Sequence, residues 1–126
     1  MTLSTENDER IRELVRTDPR YKAEAYVFTL EALNYTLEEL KKTGHEGHID
    51  GPQLLHGICD YACRLFGYLG AAVFQEWGVA STGDFGEVVF RLVDAQLLSK
   101  RDSDSKSDFE DVFDLQRAFE SEFIHP

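Results

Sequence analysis

The chain has 126 residues, and 42% of them are apolar, which is enough for one hydrophobic core without disulfides or a structural metal. It carries 24 acidic and 13 basic residues, and the resulting net charge of −11 disfavours binding to nucleic acid and to anionic membranes. Apolar runs reach only four residues and the first residues do not resemble a secretory signal, so we expect a cytoplasmic protein without a membrane span.

The first predicted element is a helix over Thr5–Thr17, with Thr5 as its cap. Ile11 and Leu14 recur at helical spacing and belong to a narrow apolar stripe. We expect this helix to end at Asp18-Pro19, because the residue before a proline avoids the helical region.

The second helix is the longest predicted element and spans Arg20–Thr43. Pro19 is placed to start its first turn, and Gly44 is placed to end it. Its inward face carries apolar residues at steps of three and four. They are Tyr26, Val27, Leu30, Leu33, Leu37 and Leu40, and Phe28 and Tyr35 widen the stripe.

A third helix is expected to begin after Asp50, whose side chain caps it, and to end at Gly67. Ile49, just before the cap, is expected to start a short edge strand. The inward residues of the third helix are Leu54, Leu55, Ile58, Tyr61, Ala62, Leu65 and Phe66. A fourth, short helix follows over Tyr68–Trp77. Its inward residues are Leu69, Ala72, Val73 and Trp77.

A fifth helix is capped by Ser81 or Thr82 and runs to Asp94. Its buried face is expected to contain Phe85, Val88, Val89, Leu92 and Val93. Two strands, Leu97–Lys100 and Asp111–Leu115, are then expected to pair as a hairpin around a polar, mobile tip. A last short helix is predicted over Gln116–Phe123, with Phe119 and Phe123 facing inward.

The order of helix, turn, helix and hairpin between Leu69 and Leu115 is that of the C-terminal half of a winged helix-turn-helix. We therefore predict a mainly α-helical fold with a small β-hairpin, a winged helix-turn-helix-like single domain with additional N-terminal helices. The domain is expected to span residues 1–126. Within it we distinguish an N-terminal helix in residues 1–17, a core in residues 18–115, and a short C-terminal helix and tail in residues 116–126.

Several short blocks of residues also match the pattern of a known family. In chain order they are Asp18-Pro-Arg-Tyr21 leading into Ala25-Tyr-Val-Phe28 and Glu31-Ala-Leu33, then Gly51-Pro-Gln-Leu-Leu55, then Trp77-Gly-Val79, and then Asp84-Phe-Gly-Glu87 through Leu97-Leu-Ser-Lys100. With these blocks the chain resembles the Minf family, a group of small bacterial proteins of unknown function. The resemblance implies a self-contained bacterial domain, and it implies no activity, ligand or partner.

A candidate metal site lies on the third helix, where His56, Cys59 and Cys63 fall on one side, beside the apolar face. Thiolates and imidazoles are good zinc ligands, and His48 or His45 of the preceding loop is the candidate for a fourth. The spacing matches no familiar zinc module, and two small apolar thiols beside a solvated histidine explain it more simply. We therefore predict no metal and no other cofactor.

Catalytic motifs are weak throughout the sequence. His56 and Asp60 lie one helical turn apart, as in an oriented base, but no nucleophile accompanies them. Asp84-Phe-Gly86 opens a helix and lacks the other parts of a kinase site. The acidic stretch 102–111 lacks the central glycine of a calcium loop. We predict that the protein is not an enzyme, and a metal-dependent or histidine-based enzyme is kept as an alternative.

The fifth helix takes the position of a DNA recognition helix. Its outward residues are Asp84, Glu87, Arg91, Asp94 and Gln96. This set is poor in the side chains that read base edges or bind phosphates. If the protein has a nucleic-acid patch, we expect it to consist of Arg91, Lys100 and Arg101, gathered in an oligomer.

Aromatic residues exceed what one small core holds. Not all of the following can reach the core: Tyr21, Tyr26, Tyr35, Tyr61, Tyr68 and Phe74. Large aromatics that are left near a surface often mark an interface. The preferred interpretation is a non-catalytic protein-interaction or adaptor module, which binds a protein partner with a basic surface or associates with itself. The first alternative is a transcription-linked nucleic-acid-binding regulator that acts as an oligomer.

Overall fold

The computed structural model describes residues 1–3 and 8–120, which are mainly helical, as predicted. The described α-helices are α1 (Asp8–Thr17), α2 (Ala23–Lys41), α3 (Gly51–Phe66), α4 (Gly70–Glu76) and α5 (Thr82–Asp94). Short 3-10 helices cover Gly67–Leu69, Lys106–Phe109 and Arg117–Phe119. Two short strands, β1 (Thr2–Leu3) and β2 (Leu98–Ser99), pair antiparallel.

A turn separates α1 from α2, and α2 begins at Ala23, so the predicted start at Arg20 is wrong. The Asp18 carboxylate accepts a hydrogen bond from the backbone N–H of Arg20 at 3.1 Å. The N–H of Lys22 donates to the carbonyl of Trp77 at 3.1 Å. These hydrogen bonds hold the backbone of residues 18–22 in a turn, and Tyr21 in this turn is fully buried.

α1 and α2 bury most of the side chains expected to face the core. Ile11 of α1 and Leu30 of α2 are buried, whereas Val27, predicted to face inward, is 41% exposed. Phe28, predicted to widen the stripe, is buried as expected, as are Tyr26 and Leu30, so among these neighbours the prediction for α2 is wrong at Val27 alone. The predicted cap of α1, Thr5, lies outside the described residues.

α3 begins and ends where the sequence predicts. Asp50 Oδ1 accepts from the N–H of Gln53 at 2.8 Å, and Gln53 Oε1 accepts from the N–H of Asp50 at 2.9 Å. This reciprocal capping box satisfies two donors at the start of the helix. Midway along α3, a side chain at Gly57 would overlap Thr36 of α2. The absence of a side chain there lets the two helices approach closely.

α4 turns a different face inward from the one predicted. Gly70 and Phe74 are buried, whereas Leu69 is 66% exposed and Ala72 is also exposed. The 3-10 helix Gly67–Leu69 causes the difference, because it separates α3 from α4 and resets the helical phase at Gly70. The rings packed against Phe74 include those of Phe28, Phe85 and Phe119, at centroid distances of 5.6, 4.9 and 5.5 Å.

α5 is the central helix of the described fold. It packs against α2, α3, β2 and the 3-10 helix Lys106–Phe109. Phe85, Val88 and Leu92 are fully buried, as predicted. Asp94, the last residue of α5, is the only one in the helix that is exposed. The predicted position as an exposed recognition helix is therefore wrong, because neighbouring elements cover most of its surface.

The predicted hairpin after α5 is absent from the described residues. β2 pairs with β1 at the N-terminus, and Asp111–Leu115 lies in turns rather than in a strand. Asp111 has a positive φ of 49°, which ends any extended run. The N–H of Val112 donates to Thr82 Oγ1 at 3.3 Å. That hydrogen bond attaches the segment to the start of α5 instead of to a neighbouring strand.

The N-terminus forms a hydrogen bond with the backbone of Ile49, which was predicted to begin a short edge strand. Ile49 is buried, and its carbonyl accepts a hydrogen bond from the amino group of Met1 at 2.5 Å. The same amino group lies 4.0 Å from Asp104 Oδ2. The segment 101–108, predicted as a mobile tip, therefore has its central carboxylate, Asp104, buried against the chain start.

The last predicted helix, Gln116–Phe123, is described only as far as Glu120. Within that part, Arg117–Phe119 forms a short 3-10 helix and Phe119 is buried against Phe74 and Gly70. The second residue predicted to face inward, Phe123, lies outside the described residues.

Candidate functional site

An exposed group of large apolar side chains lies where α3 leads into α4. Leu65, Tyr68 and Leu69 are 53%, 65% and 66% exposed. With Val27 of α2, they are the exposed large hydrophobic residues of the described chain, and we call them the apolar surface. Concentrated apolar exposure of this kind marks an interaction site more often than scattered single residues do.

A cluster of aromatic rings supports the apolar surface from below. The buried ring of Phe28 lies 6.0 Å from Phe66, 5.3 Å from Trp77 and 5.4 Å from Tyr61. Phe66 and Trp77 also contact each other, edge to face, at 6.0 Å. Because these rings come from α2, α3 and the end of α4, they fix the elements that present the apolar surface.

Acidic groups predominate among the charged residues close in sequence to the apolar surface. Of the basic ones, Lys22 is paired with Glu76 at 3.1 Å and Arg64 with Asp60 at 3.5 Å. Glu24 and Glu31 lie on α2 one helical turn to either side of Val27 and are exposed. Within the described chain, neither has a basic partner within 4.0 Å. We call these six charged residues, Lys22, Glu24, Glu31, Asp60, Arg64 and Glu76, the rim; two basic and four acidic groups give it a net charge of −2.

A polar network occupies one edge of the rim. The Tyr35 hydroxyl donates a hydrogen bond to the Asp60 carboxylate, and the Arg64 guanidinium lies over the Tyr35 ring at 5.5 Å. Burial, together with the hydrogen bond to Asp60, raises the pKa of Tyr35 to about 12. The tyrosine therefore stays protonated and acts as a donor that positions Asp60.

The residues named as candidate metal ligands do not form a metal centre in the described chain. No group of three or more histidine, cysteine, aspartate or glutamate side chains gathers there. Cys59 and Cys63 are free thiols, and His56 is exposed. The ring of His45 contacts the carbonyl of His48 at 2.8 Å within their own loop. Burial raises the pKa of Cys59 to about 12, which opposes formation of the thiolate that zinc requires.

His56 and Cys59 instead line a pocket of about 380 Å³ between α3 and the segment 113–118. The remaining described residues that line it are Phe113, Asp114, Arg117 and Ala118. The His56 and Phe113 rings lie 5.6 Å apart and are inclined by 37°. We call this cavity the His56 pocket.

Each of the three residues proposed as a nucleic-acid patch contacts another group of the same chain. Arg91 Nη2 lies 2.5 Å from Asp18 Oδ2, and its guanidinium lies 5.5 Å from the Tyr21 ring centre. Arg101 pairs with Asp104 at 3.6 Å, and Lys100 donates to the carbonyl of Arg101 at 3.3 Å. Of the three, Arg91 is the most thoroughly engaged, because its side chain is only 18% exposed.

Two of the other outward side chains predicted for α5, Asp84 and Glu87, are also engaged, whereas Asp94 and Gln96 are exposed. Asp84 accepts a hydrogen bond from the hydroxyl of Tyr21 at 2.6 Å and caps its own helix with Ser81. Glu87 lies 3.4 Å from Arg20 and 3.1 Å from Lys106. The polar face of α5 therefore holds the turn before α2 and the segment after β2 in place.

Comparison with known proteins returned no family model, no curated protein and no solved structure that matches the chain. The resemblance to the Minf family thus stays a prediction, and the site is interpreted from its own residues. No helix in the described part of the chain is long and apolar enough to cross a membrane.

The apolar surface was only partly predictable from the sequence. Of the aromatics counted as too many for one core, Tyr68 is exposed, whereas Tyr21, Tyr26 and Phe74 are fully buried. Leu65 was assigned to the inward face of the third helix, and Leu69 to that of a regular helix beginning at Tyr68. The chain instead forms a 3-10 helix over Gly67–Leu69, which leaves Leu69 exposed.

Proposed function

We propose that the protein is a non-catalytic interaction module whose apolar surface binds a protein segment with apolar anchors flanked by lysine or arginine. The observation that carries this proposal is the exposure of Leu65, Tyr68 and Leu69 above a fixed aromatic cluster. Burying such side chains against a partner contributes roughly 1.5–3 kcal/mol each when burial is complete. An amphipathic helix with a basic polar face has the matching shape and charge.

Charge supports a basic partner over a second copy of the chain. Each copy carries a net charge of −11, and Glu24 and Glu31 beside Val27 lack basic partners within the described chain. Two such rims would face each other in a symmetric dimer and repel. A basic segment meets the same carboxylates with attraction, which also speeds its association.

The alternatives have less support from the described residues. A nucleic-acid function would need Arg91 to leave Asp18, and α5 to lose the elements that cover it. A likeness to winged helices is proposed for the order of α4 and α5 alone, because Asp111–Leu115 does not form the second strand of a wing. A histidine-based or metal-dependent enzyme would need groups beside His56 that the described residues do not supply.

The proposal is tested with a synthetic peptide of leucine and lysine patterned as an amphipathic helix, labelled for fluorescence anisotropy. A peptide with glutamate in place of each lysine is the matched probe. We expect the lysine peptide to bind with a Kd in the micromolar range and the glutamate peptide to bind at least about ten times more weakly.

Two double variants separate apolar contact from charge. Leu65→Ser with Leu69→Ser is expected to weaken binding of the lysine peptide at least about tenfold at every salt concentration. Glu24→Gln with Glu31→Gln is expected to weaken it mainly at low salt. Glu46→Gln with Glu110→Gln removes the same charge from exposed positions elsewhere, and we expect a smaller effect.

Three results would contradict the proposal. Unchanged peptide binding by the variant Leu65→Ser with Leu69→Ser would show that the apolar surface is not where the peptide binds. A dimer in analytical ultracentrifugation that the serine variant abolishes would make a second copy the occupant. A gel shift of random DNA at submicromolar protein in about 150 mM salt would favour the nucleic-acid alternative.

A further inference from the structure

The His56 pocket is separate from the apolar surface and has the dimensions of a small-molecule site. Its volume of about 380 Å³ falls within the range of roughly 300–1,000 Å³ that is usual for ligand pockets. One wall is the exposed face of α3 with His56 and Cys59, and the other is the segment 113–118. Both walls belong to the described chain.

The inner surface of the pocket suits a flat aromatic group. Phe113 is half-buried, and its ring, inclined to that of His56, leaves aromatic surface facing the cavity. Ala118 adds a small apolar side chain. Cys59 is half-buried, and because burial raises the pKa of its thiol to about 12, it presents an uncharged, polarizable surface at neutral pH.

The charges at the pocket favour a cation. Asp114 Oδ1 accepts from the N–H groups of Gln116 and Arg117 at 3.0 and 3.3 Å, whereas Oδ2 accepts no hydrogen bond from the described residues. The guanidinium of Arg117 lies 3.9 Å from Glu120, which offsets its charge. With histidine counted as neutral, the lining side chains Asp114 and Arg117 sum to zero, and Glu120, paired with Arg117, brings the group to −1 in a protein of net charge −11.

We propose that the His56 pocket binds a small aromatic amine, with the ring against Phe113 and His56 and the ammonium group at Asp114 Oδ2. The aromatic wall provides apolar and cation–π contact, and the carboxylate fixes the orientation of the ligand. The negative field of the whole protein raises the local concentration of cations around the pocket. This site is independent of the apolar surface and of its proposed partner.

Tryptamine and indole-3-acetate provide the test, because they share a ring system and carry opposite charges. Titration into the full chain at pH 8, followed by isothermal calorimetry and by amide NMR shifts, is expected to give a Kd of roughly 0.1–1 mM for tryptamine. Indole-3-acetate is expected to bind at least about ten times more weakly. The largest shifts are expected at residues 113–118 and around His56.

Variants assign the binding to this pocket. Ala118→Trp fills the cavity and is expected to abolish tryptamine binding, while circular dichroism verifies that the chain is folded. Asp114→Asn keeps an oxygen that can accept from the N–H groups of Gln116 and Arg117 and removes the charge, and it is expected to weaken tryptamine binding about five- to tenfold. Asp102→Asn, an exposed position, is the charge-matched control and is expected to leave binding unchanged.

The same experiment can overturn the proposal. Equal binding of tryptamine and indole-3-acetate would remove the role of Asp114. Unchanged tryptamine binding by Asp114→Asn, or by a folded Ala118→Trp, would place the ligand elsewhere. Loss of tryptamine binding in Leu65→Ser with Leu69→Ser, with Ala118→Trp unaffected, would assign the amine to the apolar surface instead.

Discussion

The guanidinium of Arg91, on the central helix, lies 2.5 Å from the carboxylate of Asp18 in the turn that precedes α2. The pair joins residues far apart in sequence, and Arg91 also lies over the ring of Tyr21, which the turn inserts into the core. A side chain expected to contact DNA thus holds the N-terminal helices against α5.

This contact leads to a prediction about stability and pH. The hydrogen bond from Arg91 holds the pKa of Asp18 below its ordinary value of 3.8. A lowered carboxyl pKa contributes stability that is present above about pH 4 and is lost as the pH falls through the pKa of the folded state. Arg91→Gln is therefore expected to lower the urea midpoint at pH 7, and the difference from the original chain is expected to shrink below pH 4. A constant difference between pH 7 and pH 2.5 would contradict this linkage.

A second prediction concerns the contact between α2 and α3. Gly57→Ala places a methyl group on Thr36 Oγ1, whose hydroxyl already donates to the carbonyl of Ala32 at 2.7 Å. Because both helices are fixed by the core, we expect a loss of about 1–3 kcal/mol in the free energy of unfolding.

Gly83→Ala is the matched control for Gly57→Ala. Gly83 lies in the first turn of α5, and the nearest atom to an added Cβ is Ser81 Oγ at 3.6 Å, an ordinary contact distance. In a helix, alanine is favoured over glycine by roughly 1 kcal/mol in the interior and by less near an end. We expect this variant to be unchanged or slightly stabilised in urea unfolding. Equal losses in the two variants would show that packing against Thr36 is not the cause.

Local signals in the sequence were sufficient where the chain decides its own conformation. Asp50 and Ser81 were among the predicted caps, and in the structure Gln53 and Asp84 complete a capping box with them, which requires only residues within one turn. The partner of β2 was not accessible in this way. Leu98 pairs with Leu3 at the opposite end of the chain, and short local patterns do not encode a pairing at that separation.

The same contrast between local and distant residues explains which parts of the candidate sites could be predicted. His56 and Cys59 were identified together from helical spacing, and the structure places both at one pocket. The other wall, Phe113 to Ala118, was predicted to be a strand followed by a helix, so the position of this cavity was not predicted. The helical phase was assigned wrongly at Leu69 because the 3-10 helix that begins at Gly67 has a different number of residues per turn.

A third prediction follows from the buried amino group of Met1. Burial lowers the pKa of this group from 8.0, whereas Asp104 acts in the opposite direction. The unfolded chain then binds a proton more tightly than the folded chain, so stability is expected to rise with pH between the lowered pKa and about pH 8. Asp104→Asn removes the opposing carboxylate and is expected to steepen this rise in urea unfolding from pH 6 to 9. A fall in stability over that range, or an unchanged slope in the variant, would contradict the assignment.

The fourth prediction concerns the two thiols of α3. Burial raises the pKa of Cys59 to about 12 and also raises the pKa of Cys63. Since the thiolate is the reactive form, alkylation of Cys59 by iodoacetamide at pH 8 is expected to be at least about 100-fold slower than that of free cysteine. Cys63→Ser and Cys59→Ser, compared by mass spectrometry, give the alkylation rate for each thiol separately.

The same protonation of the thiols opposes metal binding. When excess zinc is added and unbound zinc is then removed by gel filtration, the zinc retained per chain is expected to be near zero. Rapid alkylation of Cys59, or one zinc retained per chain and lost in both serine variants, would restore the metal site that the spacing of His56, Cys59 and Cys63 first suggested.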